Sequence, residues 1–232
     1  MHMVAKRDYG HSRPDFRNAL GIRCLDLLGA GVGLVALSPA LMTLTVLIRL
    51  DSPGPALHRA VRIGREGRPF TLYKFRSMVE RASSLGPEIT VASDSRITKT
   101  GSTIRSWKLD ELPQLLNVLK GDMSLVGPRP EDPKYVSLYS RDQLSILQAK
   151  PGITSPASLL FREESATLTG DEWQHRYIHE VMPAKLAADS EYIARRTVWS
   201  DVGVIFQTVW VLVSRGWNRD NDRTAEHRQG EA

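Results

Sequence analysis

The longest apolar stretch of the chain runs from Leu27 to Ile48 without a charged side chain. At ~1.5 Å rise per residue, a helix of this length can cross a hydrocarbon core of ~30 Å. Its internal pattern argues against a plain crossing. Ser38-Pro39 lies near the middle; the proline deletes the hydrogen bond to the Val35 carbonyl, and Ser38 is placed to satisfy the freed group. Gly29, Gly31 and Gly33 weaken the helix further. Arg17 and Arg23 precede the stretch, and Arg49, Arg59 and Arg62 follow it. Positive flanks on both sides give no orientation for a crossing, but both are satisfied if the segment enters and leaves by the cytoplasmic face. The expectation is a re-entrant helix–break–helix over residues 21–50. A kinked spanning helix is the main alternative, and the core helix of a soluble protein the other. Arg23 and Asp26 are expected at headgroup level.

Downstream the period changes. Leu57–Arg62 and Phe70–Phe75 read as two strands, joined by the hairpin loop Gly64–Pro69. In the partly alternating run Leu72–Met78, Lys74 and Arg76 point the same way at an anion or at solvent. Val79–Leu85 reads as a short helix and Gly86–Asp94 as a loop. Leu112, Leu115, Leu116 and Leu119 stand at i, i+3, i+4, i+7, one buried helical stripe that stops at Lys120-Gly121. Glu131–Lys150 reads as helical from near Pro133, and Pro151–Pro156 as a loop. Helices are expected over Glu163–Ala166, Trp173–Arg196 (interrupted at Pro183) and Val198–Val213. The last is too short to span comfortably and suits an interfacial position. Residues 218–232 read as a polar, disordered tail. The chain thus divides into a flank (1–20), a membrane segment (21–50), a cytosolic domain (51–217) and a tail (218–232). The fold class is α+β, mostly helical, with a β-hairpin.

The candidate chemistry lies at Asp110-Glu111, at the start of the leucine-striped helix. Pro113 fits only a first helical turn, which places Asp110 near the N-cap and Glu111 just inside. Free amides there favour ionised carboxylates, and a charged carboxylate can serve as nucleophile or Mg²⁺ ligand. The same spacing also describes an ordinary capped helix. Arg96 and Arg105 come shortly before the pair, and Arg129 follows in the stiff loop Gly127-Pro128-Arg129-Pro130.

A formal net charge of +5 suits anionic partners. The arginines are scattered, unlike the compact stripe of a duplex-DNA reader, so no nucleic acid is expected. The single Cys24 excludes an intramolecular disulfide and reads as a packed small residue. His175 and His179, four apart, lack the glutamate of a zinc-protease helix and any evident third ligand. Phosphate-cradling glycine loops and the serine nucleophile elbow are absent from the sequence.

Taken together, these segments resemble the bacterial sugar transferases, the monotopic polyprenyl-phosphate phosphoglycosyl transferases. The resemblance is carried by Arg23 with Asp26, Ser38-Pro39, Gly54-Pro55, Arg62–Gly67, Phe70–Met78, Arg96–Thr98, Arg105, Leu109–Gln114, Asn117–Pro130 and Pro151–Thr154. It covers about residues 20–155 in order. With one membrane segment, the chain resembles the small, catalytic-domain-only form.

The resemblance implies transfer of a sugar 1-phosphate from a UDP-sugar to polyprenyl (undecaprenyl) phosphate, releasing UMP, at the cytoplasmic face of the bacterial inner membrane. This is the initiating step of O-antigen, capsule, exopolysaccharide or glycoprotein assembly. Asp110 would be the nucleophile and Glu111 its partner, both near Mg²⁺. Lys74, Arg76, Arg96, Arg105 and Arg129 would bind substrate phosphate, membrane lipids would surround the Ser38-Pro39 break, and a homodimer is an option. Where many members continue Pro-Gly-Ile-Thr with Gly and then Ala-Gln, this chain has Ser155-Pro156-Ala157-Ser158; that departure bears on sugar preference. The rival readings are a membrane-bound, Mg²⁺-dependent nucleotide-sugar hydrolase and a non-enzymatic basic membrane adaptor.

Overall fold

The computed structural model describes residues 16–80, 82, 94–162 and 172–229. The elements expected over Val79–Leu85, Gly86–Asp94 and Glu163–Ala166 fall wholly or mostly outside them. The apolar stretch is one helix, α1 (Phe16–Asp51), with Pro39 inside it. Helical structure continues through Ser38-Pro39, so the expected break is not an interruption of the helix. The reason is local: Ser38 Oγ donates to the Val35 carbonyl at 2.8 Å, the group that Pro39 leaves without its amide partner. Thr43 Oγ1 likewise donates to the Pro39 carbonyl at 3.0 Å.

One side of α1 packs along the rest of the protein. Ala30 and Leu34 join Leu72, Leu115, Val118 and Met123 in one apolar cluster. Leu41, Leu44 and Ile48 join Ala56, Phe75 and Ile104 in another. The opposite side leaves Leu28, Val32, Val35, Met42, Val46 and Leu50 exposed. Most of the helix's apolar length is exposed, against the reading as the core helix of a soluble protein, which would be mostly buried.

Arg23 and Asp26 do not stand free at headgroup level. Arg23 donates to the carbonyls of Val118 and Leu119 at 2.7 and 3.0 Å. Asp26 is 2% exposed and accepts from Ser124 Oγ and the Leu125 amide at 2.9 and 2.8 Å. Both are thus spent on holding α1 to the domain. Cys24, expected to be packed, is exposed.

The hairpin is as expected. Strands β1 (Leu57–Ile63) and β2 (Pro69–Phe75) pair antiparallel, with Leu57 opposite Phe75, and a 3₁₀ turn Arg65–Gly67 joins them. Next come α2 (Lys99–Ser106), a 3₁₀ turn Leu109–Gln114, and α3 (Leu115–Lys120). Gly121 ends α3 at φ 90°, a conformation that only glycine adopts cheaply. The buried face of α3 is Leu115, Asn117 and Val118, whereas Leu116, assigned to the apolar stripe, is 38% exposed. The 3₁₀ turn rotates the face relative to a continuous α-helix.

A second, parallel pair was not legible in the sequence. β3 (Ser124–Val126) pairs with β4 (Gly152–Thr154), within the stretch expected as a loop from its prolines. The chains approach so closely that a Cβ on Gly152 would lie 2.1 Å from the Gly127 amide nitrogen. Between them, Glu131–Lys150 is not one helix but a short α4 (Pro133–Val136) and a 3₁₀ turn Gln143–Gln148. The Asp132 side chain caps α4, with Pro133 in its first turn.

Then follow α5 (Pro156–Leu160), α6 (Trp173–Arg176), a π-helical stretch Tyr177–Val181, α7 (Met182–Ala194) and α8 (Val198–Gln229). The π stretch lies just before Pro183, where the proline removes an amide from the ladder. The third apolar cluster joins Tyr135, Ile146, Tyr177, Met182 and Leu186. On α8, Trp199, Val202, Phe206, Val209, Trp210 and Val213 form an exposed apolar stripe.

Candidate active site

Asp110 and Glu111 sit in the 3₁₀ turn Leu109–Gln114 and are 7% and 8% exposed. Lys108, before it, adopts a left-handed conformation (φ 57°) and its side chain forms no cap. Both carboxylates thus stand in the first turn, as the helix-start reading has it, but one position or more inside the cap, and neighbouring cations act on them.

Asn117 positions this turn against the hairpin. Fully buried, it donates from Nδ2 to the Thr71 carbonyl at 2.7 Å and accepts from the Tyr73 amide at 3.1 Å. Its side chain thus completes the pairing of β2 and brings Lys74 beside the carboxylates. Lys74 Nζ lies 4.0 Å from Glu111 Oε1. From the other side Arg129 donates to both Glu111 oxygens, at 2.8 and 3.5 Å. Pairing through both guanidinium nitrogens fixes geometry as well as charge.

The two carboxylates differ in state. Burial opposes the charge on Glu111, but Arg129, Lys74 and Lys108 outweigh it and hold the group well below the usual carboxylate range. Asp110 is pushed up, first by burial and then by the adjacent Glu111 charge; Lys74, Arg105 and Lys108 offset only part. Lys74 is pushed down to about 8 by burial, against the pull of Glu111. Asp110 Oδ1 is buried without a hydrogen-bond partner. A buried carboxylate oxygen left without a donor is costly unless something binds there.

That orphaned oxygen suits either attack on an electrophile or a metal ion. Mg²⁺ is commonly held by one or two carboxylates together with substrate phosphates. Asp110 and Glu111 fit that donor set. Among the described residues no group of three Asp, Glu, His or Cys side chains converges, so an all-protein cage is not available. His175 and His179 stack at 4.3 Å between ring centroids with no such third ligand.

Of the expected phosphate-binding residues, Lys74, Arg105 and Arg129 act on the carboxylates. Arg105 lines the same cleft and donates to Ser77 Oγ at 3.3 Å. Arg76 is used differently. Its guanidinium donates to the carbonyls of Ile48, Ser52 and Pro53 and to Ser52 Oγ, closing the end of α1. Arg96 forks onto Asp94 and donates to the Ala82 carbonyl. Both line the cleft but are committed to backbone and carboxylate partners. The charge of Lys108 also acts on both carboxylates; a left-handed lysine leaves no sequence signal. The departure at Ser155-Pro156 is a helix start: Ser155 Oγ accepts from the Ser158 amide, with Pro156 in the first turn of α5. Buried Asp189 accepts from Ser155 Oγ at 3.2 Å and from the Ala157 amide at 3.1 Å.

A buried aspartate–glutamate pair ringed by lysine and arginine lines a cleft of about 1020 Å³, an arrangement whose cations suit anionic groups. The profile of the bacterial sugar transferase family matches residues 17–215, and the chain belongs to that family. It is 38% identical over 198 residues to a UDP-glucose:undecaprenyl-phosphate glucose-1-phosphate transferase of Caulobacter vibrioides, covering 83% of this chain and 69% of that protein. It is 34% identical over 197 residues to a UDP-N-acetylgalactosamine-undecaprenyl-phosphate N-acetylgalactosaminephosphotransferase of Aeromonas hydrophila, covering 83% of this chain but 43% of the relative. An uncharacterized sugar transferase of Bacillus subtilis, EpsL, is 37% identical over 209 residues, covering 90% of this chain and 95% of that protein. The chain thus spans less than half of the Aeromonas relative.

Proposed function

We propose that the chain is a phosphoglycosyl transferase that moves a sugar 1-phosphate from a UDP-sugar to polyprenyl phosphate, giving polyprenyl-diphosphosugar and UMP. The observation that carries this reading is Asp110 Oδ1, buried and unpartnered in a ring of cations. The Asp110 carboxylate attacks the sugar-bearing phosphorus of the donor. The bond from that phosphorus to the bridging oxygen breaks, and UMP leaves with the electron pair. The resulting aspartyl phosphosugar is then attacked by a phosphate oxygen of the lipid acceptor, which restores the carboxylate.

Arg129 holds Glu111 charged and in place, while Lys74, Arg105 and Lys108 offset the negative charge that gathers as two anions meet. Asp110 and Glu111 are the residues that would hold Mg²⁺, which when bound neutralises phosphate charge. The nucleotide-sugar hydrolase reading differs in one measurable respect. UMP formation in the steady state should depend on undecaprenyl phosphate; full turnover without it would defeat the transferase.

The membrane position belongs to the same proposal. Both halves of α1 pack on one domain, from Asp26 to Ile48, with the other side bare and apolar. A helix crossing to the far side would leave the domain with one end. This supports a monotopic placement, with α1 held against one side of the membrane; in this proposal that side is the cytoplasmic face of the bacterial inner membrane, where the reaction would begin assembly of a surface glycan.

A further inference from the structure

The cleft has walls of two kinds. Around Asp110 and Glu111 it is cationic. Toward α8 it is aliphatic, formed by Leu112, Leu115, Ile153, Val211 and Leu212, with Thr208 among them. Leu115 follows the carboxylate turn directly and also abuts α1, where a Cβ on Gly33 would lie 3.3 Å from its Cδ1. Thr208 offers little to a polar ligand: its hydroxyl is engaged with Thr154 Oγ1 and with the Val204 carbonyl, each at 2.8 Å. These six residues include no aromatic ring on which a base could stack; the aromatic side chains that line the same cleft, Phe75, Tyr135, Phe161 and Tyr177, belong to β2, α4, the end of α5 and the π stretch. At ~100° per residue, Thr208, Val211 and Leu212 lie on the side of α8 opposite Phe206, Trp210 and Val213, which are exposed. One helix therefore separates the aliphatic wall from a bare apolar surface.

Resting on the transferase reading, we infer that this wall is the subsite for the acceptor's hydrocarbon tail. The first isoprene units lie along Leu115, Ile153, Val211 and Leu212, with the lipid phosphate at Asp110. The occupant is an isoprenoid chain and not the nucleoside, because the wall supplies aliphatic contact and no free hydrogen-bonding group. The wall abuts α1 through Leu115 and Gly33, and the body of α8 stands between it and the bare apolar face of that helix.

The test uses the full chain in lipid nanodiscs, with undecaprenyl phosphate and a UDP-sugar that the unaltered protein turns over. Leu212→Gln should raise KM for undecaprenyl phosphate about tenfold, the scale of losing one buried leucine contact. KM for the donor and the acceptor-independent burst of UMP should stay unchanged. The burst reports that the variant is folded and that the first half-reaction is intact. Leu212→Trp, which fills the groove instead of wetting it, should give the same split. Nanodisc retention of each variant is measured alongside and should not change. An unchanged KM for undecaprenyl phosphate in both variants, or a rise in KM for the donor instead, overturns the subsite. Absence of lipid-dependent UMP release by the unaltered protein overturns the transferase reading itself, a separate failure.

Discussion

Arg129 donates to both oxygens of Glu111, at 2.8 and 3.5 Å, while Oδ1 of the adjacent Asp110 is buried with no partner. Neighbouring carboxylates in one cleft thus differ in surroundings: one is fixed in a charge pair and the other keeps an oxygen without a donor.

Asp110→Asn should lower kcat/KM by at least about a thousand-fold, the scale of removing a covalent nucleophile. It should leave the Tm unchanged or raise it, because it removes a buried charge beside Glu111 that the fold does not satisfy. Lipid-dependent UMP release and thermal unfolding of the same preparation check both halves. A large fall in Tm would mean that the side chain is structural.

Arg129→Ala should leave the Glu111 charge buried without its strongest partner. Loss of one such donor at a charged site typically costs about 10²–10³ in kcat. Steady-state kinetics over both substrates measure it.

The pH profile follows from two shifts. Asp110 is pushed up by burial and by Glu111. As the pH falls through that raised value, the carboxylate gains a proton and ceases to attack. The acid limb of kcat/KM should therefore lie above the ordinary aspartate value of about 4. Glu111→Gln removes one of the two causes and should move the limb of the residual activity downward. On the alkaline side Lys74, lowered to about 8, loses its charge, and Lys74→Arg should shift that limb to higher pH.

Arg76 and Arg129 should separate cleanly. Arg76→Lys cannot reproduce the fork onto Ile48, Ser52 and Pro53. It should lower Tm and leave KM for the donor unchanged. A raised donor KM at unchanged Tm would restore Arg76 to phosphate binding.

Much of this was legible because it rests on local chemistry. The hairpin follows from two apolar–polar runs around Gly64–Pro69, and the Ser38–Val35 bond follows from what a proline removes. Asp110, Glu111 and Arg129 stand out by residue type and meet in one cleft. What stayed hidden depends on contacts distant in sequence. Asn117 is one more polar residue on a helix until Thr71 and Tyr73 are brought to it. Arg76 looks like its neighbour Lys74 until the end of α1 claims it. The parallel pairing of Ser124–Val126 with Gly152–Thr154 needs two three-residue strands with no alternation to announce them.

The central claim is that Asp110 carries the phosphosugar. Intact-protein and peptide mass spectrometry, after rapid acid quench of the protein with UDP-sugar and no acceptor, tests it most directly. The account predicts a phosphosugar adduct on the peptide containing Asp110, absent in Asp110→Asn and discharged when undecaprenyl phosphate is added. Accumulation of lipid-linked product with that peptide unmodified throughout the time course would contradict it.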